Sequence, residues 1–265
     1  MILHSTVYSH AEVRDAIVLI HGMGSASTVW KPIAADLKSA FTVVLIDLPG
    51  HGKTPMNVAQ HMDPKALAAS VFETMHSLEI ANFHVVGNSL GGWIALEMAA
   101  INPSAIASVI SLAPAGLWLK PFETRSPITV ISRFLIGRLK FVSPLLLQFQ
   151  WVRKIGFKNV SPKWRDFSHE LCLDAVNAFA TATGYYPAWD AFLRKRFEGK
   201  IAESVPITVI FGDSDRTLPA ATCQERSLVP IHTTWIVLSD CGHAPMWDHP
   251  AEVINEILIT TAIPK

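Results

Sequence analysis

Phe83-His84-Val85-Val86-Gly87-Asn88-Ser89-Leu90-Gly91 changes character at its serine. Residues 83–86 read as a short buried strand, and Gly92-Trp93-Ile94-Ala95-Leu96-Glu97-Met98-Ala99-Ala100 reads as a helix. A serine pinched between the two sits on a sharp turn with its hydroxyl held above the sheet. Gly87 and Gly91 keep that crossing free of Cβ clashes. Taken alone the pattern is weak, because Ser89 in isolation also reads as an ordinary helix N-cap. The rest of the chain has to decide.

Working outward, apolar runs alternate with helical patterns. Ala16–Ile20 is apolar without alternation, as expected of a strand covered on both faces. It ends at His21-Gly22-Met23-Gly24-Ser25. A helix is predicted over Trp30–Lys38 with Pro32 in its first turn. The strand Phe41–Ile46 runs into Asp47-Leu48-Pro49-Gly50-His51-Gly52. Asp63 caps a helix over Pro64–Leu78, whose inward stripe is Leu67, Val71, Met75 and Leu78. Val109–Leu112 is the fourth core strand, residues 2–8 are an edge strand, and Glu12–Asp15 is a turn. Strand and helix in alternation predict an α/β fold with a mostly parallel, doubly covered sheet.

The rhythm breaks near Gly116. Helix-like stretches follow at 128–139, 145–155, 168–183 and 189–197, with no clean strand until Ile207–Phe211. From Lys120 to Lys200 there are 14 Lys or Arg and 6 Asp or Glu, a balance of +8 against −8 for the remainder of a neutral chain. That shift marks residues 116–203 as an inserted helical lid. It splits the core into residues 1–115 and 204–265. The last strand is predicted over Thr233–Leu238, followed by Ser239-Asp240-Cys241-Gly242-His243 and a closing helix at 251–260.

A chain of 265 residues can be served by one core carrying an insertion. Half the residues are hydrophobic and 17% are charged, which argues against disorder. Zero net charge gives no footprint for a nucleic-acid partner. Cys172, Cys223 and Cys241 are an odd, widely spaced set that suits neither zinc nor a disulfide framework. The first residues lack a basic region followed by an apolar core, so the default location is cytoplasmic. Ala105–Leu119 contains Ser108, Ser111, Pro114 and Gly116 and falls short of a membrane span. No cofactor or metal is expected. The glycines at 22, 24, 50 and 52 follow the wrong elements for a dinucleotide phosphate, and the histidines do not cluster as ligands.

Three side chains fall at the C-terminal ends of predicted strands: Ser89, an aspartate of the 213–215 turn, and His243. An imidazole can take the proton of a serine hydroxyl near neutral pH, and a buried carboxylate can fix its tautomer. Asp213 and Asp215 share one turn, and physical argument from sequence does not separate them. Asp240 is a third carboxylate near His243 and reads as a surface turn residue.

These pieces resemble an α/β-hydrolase with a lid. The matching segments are His21-Gly22-Met23-Gly24, Asp47 through Gly52, Gly87 through Gly92, Gly212 through Pro219, and Gly242-His243-Ala244-Pro245. The resemblance implies Ser89 as nucleophile, His243 as base and Asp215, the fourth residue of Gly-x-x-Asp, as acid. It implies an oxyanion hole built from the amides of Met23 and Leu90. His21, Gly22 and Gly24 support that loop, and His51 holds the loop after Asp47. Relatives that open epoxides or displace halide use Asp at the elbow, so Ser89 points to acyl chemistry. The expected function is that of a carboxylesterase on a small to medium hydrophobic ester, with water as co-substrate.

A carbon–carbon bond hydrolase acting on dienoic diketo acids is the rival reading. It shares Gly-Asn-Ser-x-Gly-Gly, and Arg194 or Arg196 with Trp247 are its candidate substrate contacts. Ala244-Pro245 after His243 looks more esterase-like. A haloperoxidase-like perhydrolase and a slow-turnover ligand receptor are further classes on this fold. The many bulky apolar residues of 116–203, among them Trp118, Phe134, Phe149, Trp151, Trp164 and Trp189, favour an apolar pocket. Residues 128–157 also interleave apolar runs with Arg133, Arg138, Lys140, Arg153 and Lys154, a pattern compatible with an anionic membrane surface, while the excess charge equally suits attraction of acidic substrates or plain solubility of the lid.

Overall fold

The computed structural model describes residues 1–9, 15–125, 127–139 and 141–263. Residues 12–14 of the expected turn and Lys140 lie outside them. Among the described residues, seven strands form one sheet in the order β1-β3-β2-β4-β5-β6-β7. They are β1 (Ser5–Tyr8), β2 (Ala16–Ile20), β3 (Thr42–Ile46), β4 (Phe83–Asn88), β5 (Ile106–Leu112), β6 (Ile207–Gly212) and β7 (Thr234–Leu238). Only β1 runs antiparallel, pairing Ser5–Tyr8 with Ile46–Val43. The chain builds leftward through β2 and β3, then returns to lay β4 against β2 and builds rightward. The crevice between β2 and β4 is therefore the topological switch point.

Alternation along β2 assigns the two faces. Ala16, Val18 and Ile20 join one core with Leu67, Val71, Met75 and Trp93. Ile17 and Leu19 join the other with Ile33, Leu37, Val253 and Ile257. The first face is covered by α2 (Pro64–Ser77) and α3 (Leu90–Ile101), the second by α1 (Lys31–Leu37) and α11 (Pro250–Thr261). Asp63 caps α2 as expected, accepting from the Ala66 amide at 3.4 Å. The predicted helix at 30–38 opens earlier, as a 3₁₀ turn over Ser27–Trp30.

Among the described residues, the elements between β5 and β6 are helices: α4 (Pro127–Leu139), α5 (Ser143–Leu146), α6 (Gln150–Phe157), α7 (His169–Thr181) and α8 (Tyr185–Phe192). Two expectations are corrected here. The stretch 145–155 is not one helix but two, α5 and α6, broken at residues 147–149. The helix expected at 189–197 starts at Tyr185, with Pro187 in its first turn, and ends at Phe192. It stops because the chain turns back to the core: the Phe197 amide donates to the Gly116 carbonyl at 2.9 Å, and the Phe197 ring is fully buried. Two short helices, α9 (Ala220–Cys223) and α10 (Pro245–Asp248), follow β6 and β7.

The apolar residues of the insertion divide. Leu147, Phe157, Trp164, Phe167 and Cys172 form a small core of their own. Phe134, Phe141, Phe149 and Trp151, by contrast, are exposed.

Candidate active site

Ser89 joins β4 to α3 at φ 55° and ψ −114°. That backbone is strained for any residue with a Cβ, and three hydrogen bonds hold it. The Ser89 amide donates to the Leu112 carbonyl at 2.9 Å, and its carbonyl accepts from Trp93 at 3.1 Å and Ala115 at 2.9 Å. The flanking glycines are steric requirements. A Cβ on Gly87 would lie 2.1 Å from the Gly91 oxygen, and one on Gly91 would lie 2.0 Å from the Ile20 oxygen. The strand, the helix and the end of β2 approach this closely only with hydrogen at both positions.

Because β2, β4, β6 and β7 are parallel, the loops after them open at one edge of the sheet. After β7, His243 is delivered on a loop held from several sides. Its amide donates to the Val160 carbonyl of the insertion at 2.7 Å. The Asn88 side chain donates to its carbonyl at 3.0 Å. The neighbouring Gly242 amide donates to Asp248 at 2.7 Å, and Asp248 in turn accepts from the Ser161 hydroxyl.

After β6, the carboxylate that meets His243 is that of Asp215. His243 Nδ1 donates to Asp215 Oδ2 at 2.8 Å, with the two side chains 12% and 1% exposed. The other Asp215 oxygen accepts from the Thr217 and Leu218 amides, each at 2.8 Å. Burial alone would raise the Asp215 carboxyl. The charge and hydrogen bond of His243, together with the two amides, outweigh it and leave the group below its ordinary range. With Nδ1 donating to Asp215, His243 Nε2 is the acceptor nitrogen of the neutral ring. Asp213 is exposed and its carboxylate accepts from the Cys241 amide at 3.4 Å, tying one turn to the other. Asp240 is an exposed turn residue at φ 50°.

The loop after β2 is clamped by two buried histidines. His21 donates from Nδ1 to the Gly22 carbonyl at 2.7 Å and accepts at Nε2 from the Leu48 amide at 3.0 Å. His51 donates from Nδ1 to the Pro49 carbonyl at 2.9 Å and accepts at Nε2 from the Gly24 amide at 3.1 Å. Each ring thus bridges the 21–24 and 48–51 loops as the neutral Nδ1–H tautomer. Burial, and for His51 the neighbouring His21, lower both pKa values, that of His51 to about 3. Asp47 braces the same region, accepting from the Ser27 amide at 2.7 Å and the Lys53 amide at 3.0 Å. Among the described residues, the Met23 and Leu90 amides have no acceptor inside the protein. A Cβ on Gly22 would lie 3.0 Å from the Ser89 Cβ, so this loop runs directly against the serine.

The insertion closes over the same edge. A Cβ on Gly24 would meet Phe179 and Tyr185, each at 2.8 Å. Gly184 donates its amide to the Gly50 carbonyl at 3.0 Å. Arg133 donates to the carbonyls of Phe179, within the last turn of α7, and of Ala182, just beyond it, and lies 4.6 Å from the Tyr185 ring centre.

The residues singled out for a dienoate border two concavities. Arg194 and Arg196 border a concavity of about 340 Å³ with Lys65, Trp93 and Glu97. The Trp247 indole donates to the Val29 carbonyl at 3.0 Å and borders a second concavity, of about 240 Å³, with Ser25, Lys31 and Asp174. Ser89 lines neither. Sequence reasoning passed over Asn88, Val160 and Asp248. Asn88 was visible in the Gly-Asn-Ser motif, whereas Val160 acts through its backbone and leaves no side-chain signal.

The sequence model of the alpha/beta hydrolase family matches residues 17–256. A pimeloyl-[acyl-carrier protein] methyl ester esterase of Aliivibrio salmonicida is 26% identical over 247 residues, covering 91% of this chain and 90% of that protein. The dihydrolipoyllysine-residue acetyltransferase component of an acetoin cleaving system from Pseudomonas putida is 35% identical over 251 residues, covering 92% of this chain and 62% of that protein. Among solved structures, a meta-cleavage product hydrolase from Pseudomonas fluorescens IP01 superposes with a TM-score of 0.71 at 16% identity, covering 97% of this chain and 92% of that one.

Proposed function

The chain belongs to the alpha/beta hydrolase family, and on that premise we propose that it is a serine esterase cleaving the carboxylic ester of a small to medium hydrophobic substrate. The observation that carries this reading is the His243–Asp215 pair at 2.8 Å on the sheet edge that also bears the strained Ser89. Ser89 attacks the ester carbonyl as His243 Nε2 takes its proton. The amides of Met23 and Leu90 receive the oxyanion. His243 then gives the proton to the departing alcohol, leaving an acyl-enzyme. Water, deprotonated by the same nitrogen, attacks the acyl carbonyl, frees the acid and restores the serine. Asp215 stays ionised and stabilises the imidazolium at each transfer.

Ester chemistry is preferred over carbon–carbon cleavage because Ala244-Pro245 follows His243, as in the esterases, and the Trp247 indole already donates to the Val29 carbonyl. The test is a rate screen on p-nitrophenyl esters of increasing acyl length, with a dienoic diketo acid in the same plate and Ser89→Ala as the blank. Ester cleavage that depends on Ser89 and peaks at one chain length is expected. Slow ester cleavage beside rapid loss of dienoate absorbance would replace this reading with the carbon–carbon hydrolase. Rates in the intact protein equal to those of Ser89→Ala would sink the mechanism and leave a ligand receptor on the same fold.

A further inference from the structure

From residue 124 to residue 165 the chain has no Asp or Glu and nine Lys or Arg. The same stretch carries the densest set of exposed bulky apolar side chains. Ile131 is 60% exposed, Phe134 60%, Phe141 84%, Leu145 61%, Trp151 63% and Ile155 69%. We propose that the outward faces of α4, α5 and α6 form a docking surface for an anionic lipid bilayer.

The helices are oriented for it. On α6, Phe157 turns into the small core of the insertion with Trp164 and Phe167. The opposite stripe is Trp151, Lys154, Ile155 and Lys158, the i, i+3, i+4, i+7 pattern of one helix face, and all four are exposed. On α4 the exposed side chains among the described ones are Val130, Ile131, Phe134, Leu135 and Arg138. An ordinary surface helix turns such residues inward. Here bulky apolar groups and cations share the solvent face, as in helices that lie in a lipid headgroup region.

The cations divide by task. Arg133 and Arg153 donate to backbone carbonyls and so hold the insertion together. Arg138 lies 4.7 Å from the Phe134 ring centre, and Lys154 and Lys158 have no ion-pair partner among the described residues. These three carry charge on the outer face. That charge selects the occupant. A second copy seated face to face would set two acid-free basic surfaces against each other. A bilayer with anionic headgroups supplies the opposite charge and receives projecting side chains without needing a matched shape. No helix among the described residues is long and apolar enough to cross a membrane, so the contact is interfacial. The inference does not depend on what Ser89 does.

The test is flotation of the full chain with vesicles of phosphatidylcholine alone and of phosphatidylcholine with roughly one third phosphatidylglycerol. Binding to the anionic vesicles only, weakening as salt is raised, is expected. Trp151→Ser with Ile155→Ser, and separately Lys154→Glu with Lys158→Glu, should each lower the partition coefficient at least about tenfold. Far-UV circular dichroism and melting temperature should stay unchanged, because all four side chains face solvent. No flotation with either vesicle, equal flotation with both, or variants that bind like the parent would each overturn the proposal. So would a protein partner on this face: a concentration-dependent dimer or a complex with a purified acidic carrier protein, either one abolished by the same substitutions in the absence of vesicle binding.

Discussion

The side-chain amide of Asn88 donates to the carbonyl oxygen of His243 at 3.0 Å and to that of Leu112 at 3.2 Å. One side chain thereby ties the end of β4 to its neighbour β5 and to the loop that carries the imidazole. The spacing between Ser89 and His243 is set through the residue directly before the serine. Asn88→Ala should lower kcat about tenfold, the worth of one buried hydrogen bond, with little change in KM. Steady-state kinetics on a soluble p-nitrophenyl ester would show it. An unchanged kcat would mean that Val160 and Asp248 hold the imidazole loop without help.

Ser89 occupies a backbone conformation close to the first central position of a type II′ turn, which favours glycine. Ser89→Gly should therefore stabilise the fold by about 1–2 kcal/mol while removing the hydroxyl that the proposed reaction needs. Urea denaturation of the parent, Ser89→Gly and Ser89→Ala would read this out. The glycine variant should have the highest midpoint and no turnover. A glycine variant less stable than the alanine variant would show that the strain is not relieved.

His51 is held neutral in the folded protein, its pKa pushed down to about 3 by burial first and then by His21. On unfolding, the ring returns to its ordinary value near 6.5 and binds a proton. Between these two values the unfolded state binds more protons, so stability is complete above about pH 6.5 and is lost as the pH falls through the window. The slope for one such group approaches about 1.4 kcal/mol per pH unit. His21 and His84, also lowered by burial, add slopes of the same sign. Unfolding free energies measured at several values from pH 7 to pH 4 should fall less steeply in His51→Gln than in the parent. Parallel curves would show that His51 takes up no proton on unfolding.

Much of the core was legible in the sequence because its strands are covered on both faces. Ala16–Ile20 could be nothing but an interior strand once its five apolar residues were seen to lack alternation. Physical argument from sequence left Asp213 and Asp215 level, since both occupy one turn; the family resemblance favoured Asp215, and the structure brings that carboxylate to His243. The insertion was less legible. A helix ending at Phe192 cannot be told from one ending at Phe197 when the decision rests on a backbone bond to Gly116, far away in sequence. The apolar residues of α4 and α6 were also ambiguous. A bulky side chain signals burial in sequence, yet Phe134 and Trp151 face water.

The contact between Gly50 and Gly184 has a consequence for which sequences can replace this one. A Cβ on Gly50 would lie 2.3 Å from the Gly184 nitrogen, and one on Gly184 would lie 2.2 Å from the Pro49 oxygen. Backbone meets backbone there, with no flexible side chain to move aside. A library that randomises the insertion to change substrate preference would lose its register on the core wherever position 184 drifted from glycine. Position 50, though it lies in another part of the chain, must be held constant with it. Grafting a foreign insertion onto this core is thus an exercise in preserving two hydrogen atoms.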